Sequence, residues 1–421
     1  MGFFDFLNRK KNLDSQYALS LDIGTEFVKA LIFKVEDDGK GYVLGVGRQH
    51  QRLSDMQGGT VTDIHGVIRN CEVAIERAGE MAGLIPQQVI IGIAGELVKG
   101  TTTDIKYIRP NPKAKIDLPE LKDIVARVQR RAFDRARTLL AWESGQSELD
   151  VRLVNAAIVD VRIDGYKVTN PLGFQGREVQ VGVYNCFAPI VHLGALQTIA
   201  DELELDLLSV AAEPYAVARC LGPDESVEFS AIFIDIGGGT SDVAVVRSGG
   251  LEGTKMFALG GRAFTKRIAQ VMNTNFSEAE DLKIRYSNGD LDKERAESVR
   301  KALEADAKVW LAGVELTLED FSHGNDLLPN RILMCGGGSA LPDLYQVLSE
   351  AKWTKDLAFA RKPTVHFIQP RDITSIVDQT GQLREPRDVT PMALANIAID
   401  LVGQERVMDS VLTRVVSSLK N

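Results

Sequence analysis

Two segments far apart in this chain carry one pattern: Leu19–Phe33 reads LSLDIGTEFVKALIF and Ile232–Val246 reads IFIDIGGGTSDVAVV. Each is an apolar strand ending in Asp-Ile-Gly, a turn of small residues with Thr or Ser, and a second apolar strand. The repeat predicts two related halves, and the turns say what the halves could pinch between them. Glycine lets backbone N–H groups approach an anion with no Cβ in the way. Asp22 and Asp235 stand at the strand ends, where a carboxylate can hold Mg2+ through the ion's own waters. Gly24 and Thr25 in the first turn, and Gly237, Gly238, Gly239 and Thr240 in the second, form the candidate phosphate cradle.

A third turn lies downstream in RILMCGGGSALPDL, Arg331–Leu344. An apolar strand runs into Gly336-Gly337-Gly338-Ser339, and a helix follows with Pro342 in its first turn, where a missing N–H costs little. Three glycines at a helix N-terminus suit the flat face of an adenosine and its α-phosphate. Taken singly, each turn is also an ordinary connection between strands and helices. Their number and order point to a nucleotide.

Composition narrows the function classes. A chain of 421 residues can build two or more domains with separate cores. The net charge of -9 supplies no phosphate-neutralising surface and argues against nucleic acid as a partner. Cys71, Cys186, Cys220 and Cys335 have no metal-ligand spacing and read as small buried residues in a reducing cytoplasm. No stretch approaches the roughly 20 apolar residues of a membrane span. The N-terminal apolar patch precedes its basic cluster, the reverse of a secretory signal. Phe6 stands where N-myristoylation calls for Ser or Thr.

Residues 1–16 stand apart, with Phe3, Phe4, Phe6 and Leu7 followed by Arg9, Lys10 and Lys11. Aromatics beside a basic cluster suit the headgroup boundary of an anionic membrane, or a tail folded back into a groove. The chain then reads as a strand pair (17–35, 42–49), a helix from Asp63 to Met81 and strands over 89–108. Lys115–Trp142 reads as a charged helix capped near Asp117, and 151–188 returns to strands. Residues 86–190 thus look like an insert in the first half.

Beyond it, Glu213-Pro214 opens a helix. Ser, Thr, Asp or Asn would cap that helix better than Glu. Glu213 could therefore orient a water for attack on a terminal phosphate, or simply gain from the helix dipole. Gly260-Gly261 starts another helix, and FSEAEDLKIRYS (276–287) a third, with Ser277 and Glu280 in capping-box spacing. Glu280 and Lys283 lie one turn apart, as a surface ion pair or as a pair reaching a ribose. The apolar stripe Val407, Met408, Val411, Leu412, Val415, Val416 and Leu419 in Gln404–Lys420 predicts a helix docked on the body, or one that meets a membrane or partner.

These elements, in this order, resemble the actin-like ATPase superfamily and, within it, the FtsA/PilM family. Asp22–Thr25 and Asp235–Thr240 match the superfamily's two phosphate motifs, Gly336–Ser339 its adenosine motif, and Glu213-Pro214 its connecting motif. The segment Asn170-Pro171-Leu172-Gly173-Phe174-Gln175-Gly176 resembles the FtsA inserted subdomain 1C, and Phe276–Ser287 the stretch whose Glu and Lys line the ribose. The resemblance implies an α/β actin-like ATPase fold, two related lobes around a nucleotide cleft with the 1C-type insert on the first. The expected division is 1–16 terminal segment, 17–85 and 191–228 first lobe, 86–190 insert, 229–402 second lobe and 403–421 C-terminal helix.

By the same resemblance, ATP and Mg2+ are the cofactors. Asp22 and Asp235 organise the metal, Thr25, Gly238, Gly239 and Thr240 the phosphates, and Gly337, Gly338, Glu280 and Lys283 the nucleoside. Glu213 orients water for slow ATP hydrolysis serving as an assembly switch. The implied role is a self-associating filament or dimer at the inner face of the cytoplasmic membrane that tethers an FtsZ-type division protein. FtsA proteins typically end in a linker and an aromatic, basic membrane helix; here the aromatic–basic segment is N-terminal. The full second turn Gly237–Asp242 favours FtsA over PilM, whose version is often degenerate. The alternatives are a PilM-like pilus-assembly platform gripping the tail of an inner-membrane protein, and a sugar or acid kinase of the same superfamily.

Overall fold

The computed structural model describes residues 16–95, 97–145, 150–221, 229–322, 327–350 and 352–402. The aromatic–basic segment and the C-terminal amphipathic stripe lie outside them. Along the chain the elements are β1 (Tyr17–Ile23), β2 (Phe27–Val35), β3 (Gly41–His50), the small ribbon β4 (Met56–Gln57) and β5 (Thr60–Val61), α1 (Ile64–Ala82) and β6 (Gln88–Ile93). The inserted stretch supplies β7 (Lys99–Ile108), α2 (Leu118–Ser144), β8 (Val151–Ile163), β9 (Tyr166–Lys167) and β10 (Glu178–Pro189). Next come α3 (Ile190–Glu202), β11 (Asp206–Ala212), α4 (Glu213–Leu221), β12 (Ala231–Ile236), β13 (Ser241–Arg247) and β14 (Gly250–Phe257). The remainder is α5 (Gly261–Met272), α6 (Phe276–Asn288), α7 (Lys293–Glu319), β15 (Arg331–Cys335), α8 (Pro342–Ser349), β16 (Thr364–Phe367), β17 (Ile376–Asp378) and α9 (Val389–Val402).

The repeat read in the sequence is a repeat of topology. One sheet runs β11-β6-β1-β2-β3-β17, and the other begins β16-β15-β12-β13-β14. In each, an antiparallel meander carries two parallel strands beside its first member. Hairpins β1–β2 and β12–β13, the two Asp-Ile-Gly segments, therefore occupy equivalent places. Side-chain alternation sets the layers. Ile232, Ile234 and Ile236 face a core with Trp310, while Ala231 and Phe233 face the core shared with the first lobe. α4 and α9 pack against each other between the sheets, and their first turns point into the gap between the two hairpins.

The insert leaves the first lobe after β6 and returns to it at α3, yet its strands extend the second sheet through β14-β7-β10-β8-β9. Gly253 pairs with Thr101 and Thr254 with Gly100 to join β14 to β7, and Thr102 Oγ1 donates to Leu251 O beside them. Tyr184 of β10 reinforces that junction: its hydroxyl pairs with Thr254 Oγ1 at 3.0 Å and its ring stacks on Tyr215 of α4 at 5.3 Å. The insert has its own small core, in which Leu121, Ile124, Val125 and Val128 of α2 cover Val179, Val181 and Val183 of β10. Among the described residues, no helix is long and apolar enough to cross a membrane.

Two local expectations compare differently with the structure. Asp117 caps α2, accepting a hydrogen bond from Glu120 N. At α6, however, the capping box from Ser277 does not form: Asn275 is the cap, accepting from Glu278 N. Glu280 turns instead to Lys283 and Thr265.

Candidate functional site

A cavity of about 270 Å3 opens where the two hairpins face each other, and the three glycine turns meet in it. Asp22, Gly24, Thr25, Glu213, Asp235, Gly237, Gly238, Thr240, Glu280, Lys283 and Gly336–Gly338 all line it. Gly239 is the exception. It backs onto the first turn, where an added Cβ would come within 2.9 Å of Thr25 Oγ1.

The two phosphate-type turns are built alike. Gly24 N donates to Phe27 O at 3.1 Å and Gly237 N to Thr240 O at 2.9 Å. The same hairpin register then sets Asp22 opposite Lys29 and Asp235 opposite Asp242. In the first hairpin this yields a buried ion pair, Lys29 Nζ to Asp22 Oδ2 at 2.9 Å. In the second it sets two carboxylates face to face. Thr240 Oγ1 donates to Asp242 at 3.2 Å, and Thr390, in the first turn of α9, donates to Asp235 at 2.5 Å.

Four acids and one lysine thus crowd one partly buried space. Burial, and then Asp22, Asp242 and Asp235, push the Glu213 carboxyl well above its ordinary range against the pull of Lys29. Burial likewise raises Asp235, although the Thr390 hydroxyl and Lys29 oppose it. Burial and the neighbouring Asp235 carry Asp242 from 3.8 to about 8. Lys29 stays above its usual pKa because Asp22, and more weakly Asp235, outweigh its desolvation.

The sign of the pH effect follows. The folded chain keeps a proton on Asp242 up to about pH 8, whereas the unfolded chain releases it above 3.8, so in the absence of ligand stability falls as pH rises across that window. Asp242→Asn is expected to match the wild type near pH 4 and to unfold at a higher temperature at pH 8, measured by nucleotide-free thermal unfolding. Parallel curves at both pH values would contradict it.

The donors suit a polyphosphate. No protein acceptor is present on the N–H groups of Thr25, Gly238 and Gly239 among the described residues. The N-terminal turns of α4, α5 and α9 reach the cavity through Glu213, Gly261 and Thr390, and helix N-termini favour anions. The start of α5 is tied to the second turn, with Gly261 N on Gly237 O at 2.9 Å and Arg262 N on Gly238 O at 2.7 Å. Nearby, Lys283 Nζ holds Glu280 Oε2 at 2.7 Å, Thr265 Oγ1 at 2.8 Å and Gly261 O at 3.2 Å. That pair faces the cavity and is no surface ion pair. The Gly336–Gly338 turn closes the other side, its first amide donating to Pro386 O at 3.1 Å.

For a metal, the fit is partial. Among the described residues no three His, Cys, Asp or Glu are grouped to hold an ion by themselves. Asp22 and Asp235 would meet a divalent ion only as two members of a shell completed by phosphate oxygens and waters, which is how Mg2+ is commonly bound.

Sequence reasoning missed Lys29, Asp242, Glu26, Arg262 and Thr390 as cleft residues. The first two were accessible: once each hairpin turn is placed, the strand register pairs 22 with 29 and 235 with 242. Thr390 carries no such signal, because it lies 155 positions from Asp235 in sequence.

The family model for cell division protein FtsA matches residues 232–393, which run from the second phosphate-type turn to the start of α9. Cell division protein FtsA of Pseudomonas aeruginosa is 27% identical over 271 residues, 64% of this chain and 60% of that one. The Neisseria meningitidis serogroup B protein of the same name is 26% identical over 281 residues, 66% of this chain and 63% of its own length. The match thus spans about three fifths of those two relatives. The Enterococcus faecalis FtsA is 24% identical over 404 residues, covering 89% of this chain and 86% of its own. Among solved structures, the PilM-PilN type IV pilus biogenesis complex shares the fold, with a TM-score of 0.62 at 17% identity over 91% of this chain and 98% of that one. The doubled hairpin and the cleft it encloses thus belong to an actin-like ATPase fold, and the chain is similar in sequence to cell division protein FtsA.

Proposed function

We propose that this chain binds Mg-ATP in its cleft, assembles into filaments at the inner face of the cytoplasmic membrane and there tethers an FtsZ-type division ring. The observation that carries the reading is the facing of two equivalent Asp-Ile-Gly hairpins across one cavity closed by a third glycine turn. The relatives named cell division protein FtsA supply the division role. Thr25, Gly238, Gly239 and Thr240 would hold the phosphates, and Gly337, Gly338, Glu280 and Lys283 the nucleoside. Asp22 and Asp235 would hold Mg2+, which when bound neutralises phosphate charge. Glu213 would orient the attacking water. Its raised pKa favours the protonated form in the free protein and leaves less carboxylate to accept a proton, which fits slow hydrolysis used as an assembly switch.

The test is electron microscopy of the full chain on anionic lipid monolayers with and without Mg-ATP. Filaments are expected only with nucleotide, and recruitment of an FtsZ-type protein only to lipid bearing them. Lipid-bound single particles in both conditions would overturn the filament reading.

One observation favours a second reading, a PilM-like platform for a membrane protein's tail. β11 ends its sheet with no strand on its outer side among the described residues, and β8 is paired on its outer side only at Arg162 and Ile163. Half-buried Leu207 and Val210 on one edge and Val154 and Ala157 on the other leave apolar surface between lobe and insert. Ala212 N and Asn155 Oδ1, 2.7 Å apart, close its end. An extended peptide adding as a strand would use both main-chain edges.

A further inference from the structure

The cleft contains a buried cation with an unused donor. Arg262, the second residue of α5, is 8% exposed. Its Nε donates to Glu26 Oε2 at 2.6 Å and its Nη1 to Met56 O at 3.2 Å, while Nη2 is buried with no partner among the described residues. Both acceptors belong to the first lobe, so the side chain crosses from one half of the molecule to the other. Glu26 follows Thr25 in the first turn and also takes His50 Nε2 at 2.6 Å on its other oxygen. The second turn touches the same residue, since a Cβ on Gly238 would lie 2.8 Å from Glu26 Cβ. Arg262 therefore sits where the two phosphate-type turns meet, on the cavity that Gly336–Gly338 also line.

A buried guanidinium donor with no acceptor is costly and calls for an explanation. Two of the three guanidinium nitrogens are engaged, and the rigid plane of the group fixes where the third can be used. The residue lines the cavity, and the free amides of Thr25 and Gly238 belong to the same two turns. We infer that Arg262 is a phosphate-contacting residue that lets the cleft distinguish a nucleoside triphosphate from a diphosphate: a shift of the guanidinium toward the cavity brings Nη2, covered in the free protein, to an oxygen of the terminal phosphate. By holding Glu26, the same guanidinium also keeps that carboxylate from repelling the phosphate. This inference rests on the nucleotide reading above.

The experiment is calorimetric titration of the full chain with Mg-ATP and, separately, Mg-ADP, for wild type, Arg262→Gln and Arg262→Lys. Arg262→Gln is expected to lower the ratio of ATP to ADP affinity by about 10- to 100-fold, the loss of one charged hydrogen bond, with ADP affinity held within about 2-fold. Arg262→Lys keeps the charge but cannot hold Glu26 and a phosphate together, so its ratio should fall between the other two. It also carries the test if the glutamine variant does not fold. An unchanged ratio, or equal weakening of both nucleotides, makes Arg262 a strut between lobes and overturns the inference. A wild type that binds neither nucleotide brings down the underlying reading, and the inference with it.

Discussion

Asp235→Ala is expected to weaken Mg-ATP binding by about 100-fold in titration of a fluorescent ATP analogue, the upper range for losing a carboxylate that orients a metal's shell. The same substitution should leave the nucleotide-free protein at least as stable as the wild type. Asp235 is held above its ordinary pKa by burial and in turn raises Asp242 opposite it. Removing it ends the burial of that carboxyl and its opposition to the Asp22 charge, at the expense of the hydrogen bond from Thr390. A residue present for packing alone would move stability and affinity together. Opposite movements identify one kept for its ligand, and unchanged affinity would remove Asp235 from the site.

Gly336→Ala should be the most damaging substitution in the adenosine-type turn. Gly336 has φ 82° and ψ 163°, a region open essentially to glycine alone. An added Cβ would lie 2.1 Å from Asp235 Oδ1 and 2.5 Å from Ile236 O, so either the carboxylate or the end of β12 must shift. Strain and overlap together amount to about 2–4 kcal/mol, and the displaced group is the Asp235 carboxylate itself. Thermal unfolding should drop by several degrees and ATP binding should be lost. Gly337→Ala is the control for stability alone, because in the nucleotide-free protein its added Cβ meets nothing nearer than Arg387 Cβ at 3.9 Å. Equal losses of thermal stability at the two positions would contradict this account of the turn.

The contrast between these neighbours shows where the sequence is informative. The Asp-Ile-Gly repeat announced both hairpins, and the topology repeats with them, because a strand–turn–strand is a local object fixed by alternation and glycine. Cap Asp117 was legible for the same reason. Ser277 was not, since Asn275 offers the helix a cap two residues earlier and Glu280 finds Lys283 and Thr265 across the cleft wall. Contacts set by tertiary approach left no local trace. Thr390 reaches Asp235 because α9, packed on the first sheet and on α4, turns its start toward the second hairpin, and the insert's strands meet the second sheet at Gly100 and Thr101. Arg262 reads in the sequence as the start of a helix; its burial and its grip on Glu26 exist only once the lobes face each other.

The measurement that bears most directly on the account is isothermal titration of the wild-type chain with ATP, in Mg2+ and in a chelator. One nucleotide bound per chain, tightened by Mg2+, is the expected result. No saturable heat at millimolar ATP, with the chain shown to be folded, would contradict the claim that the paired hairpins form a nucleotide cleft.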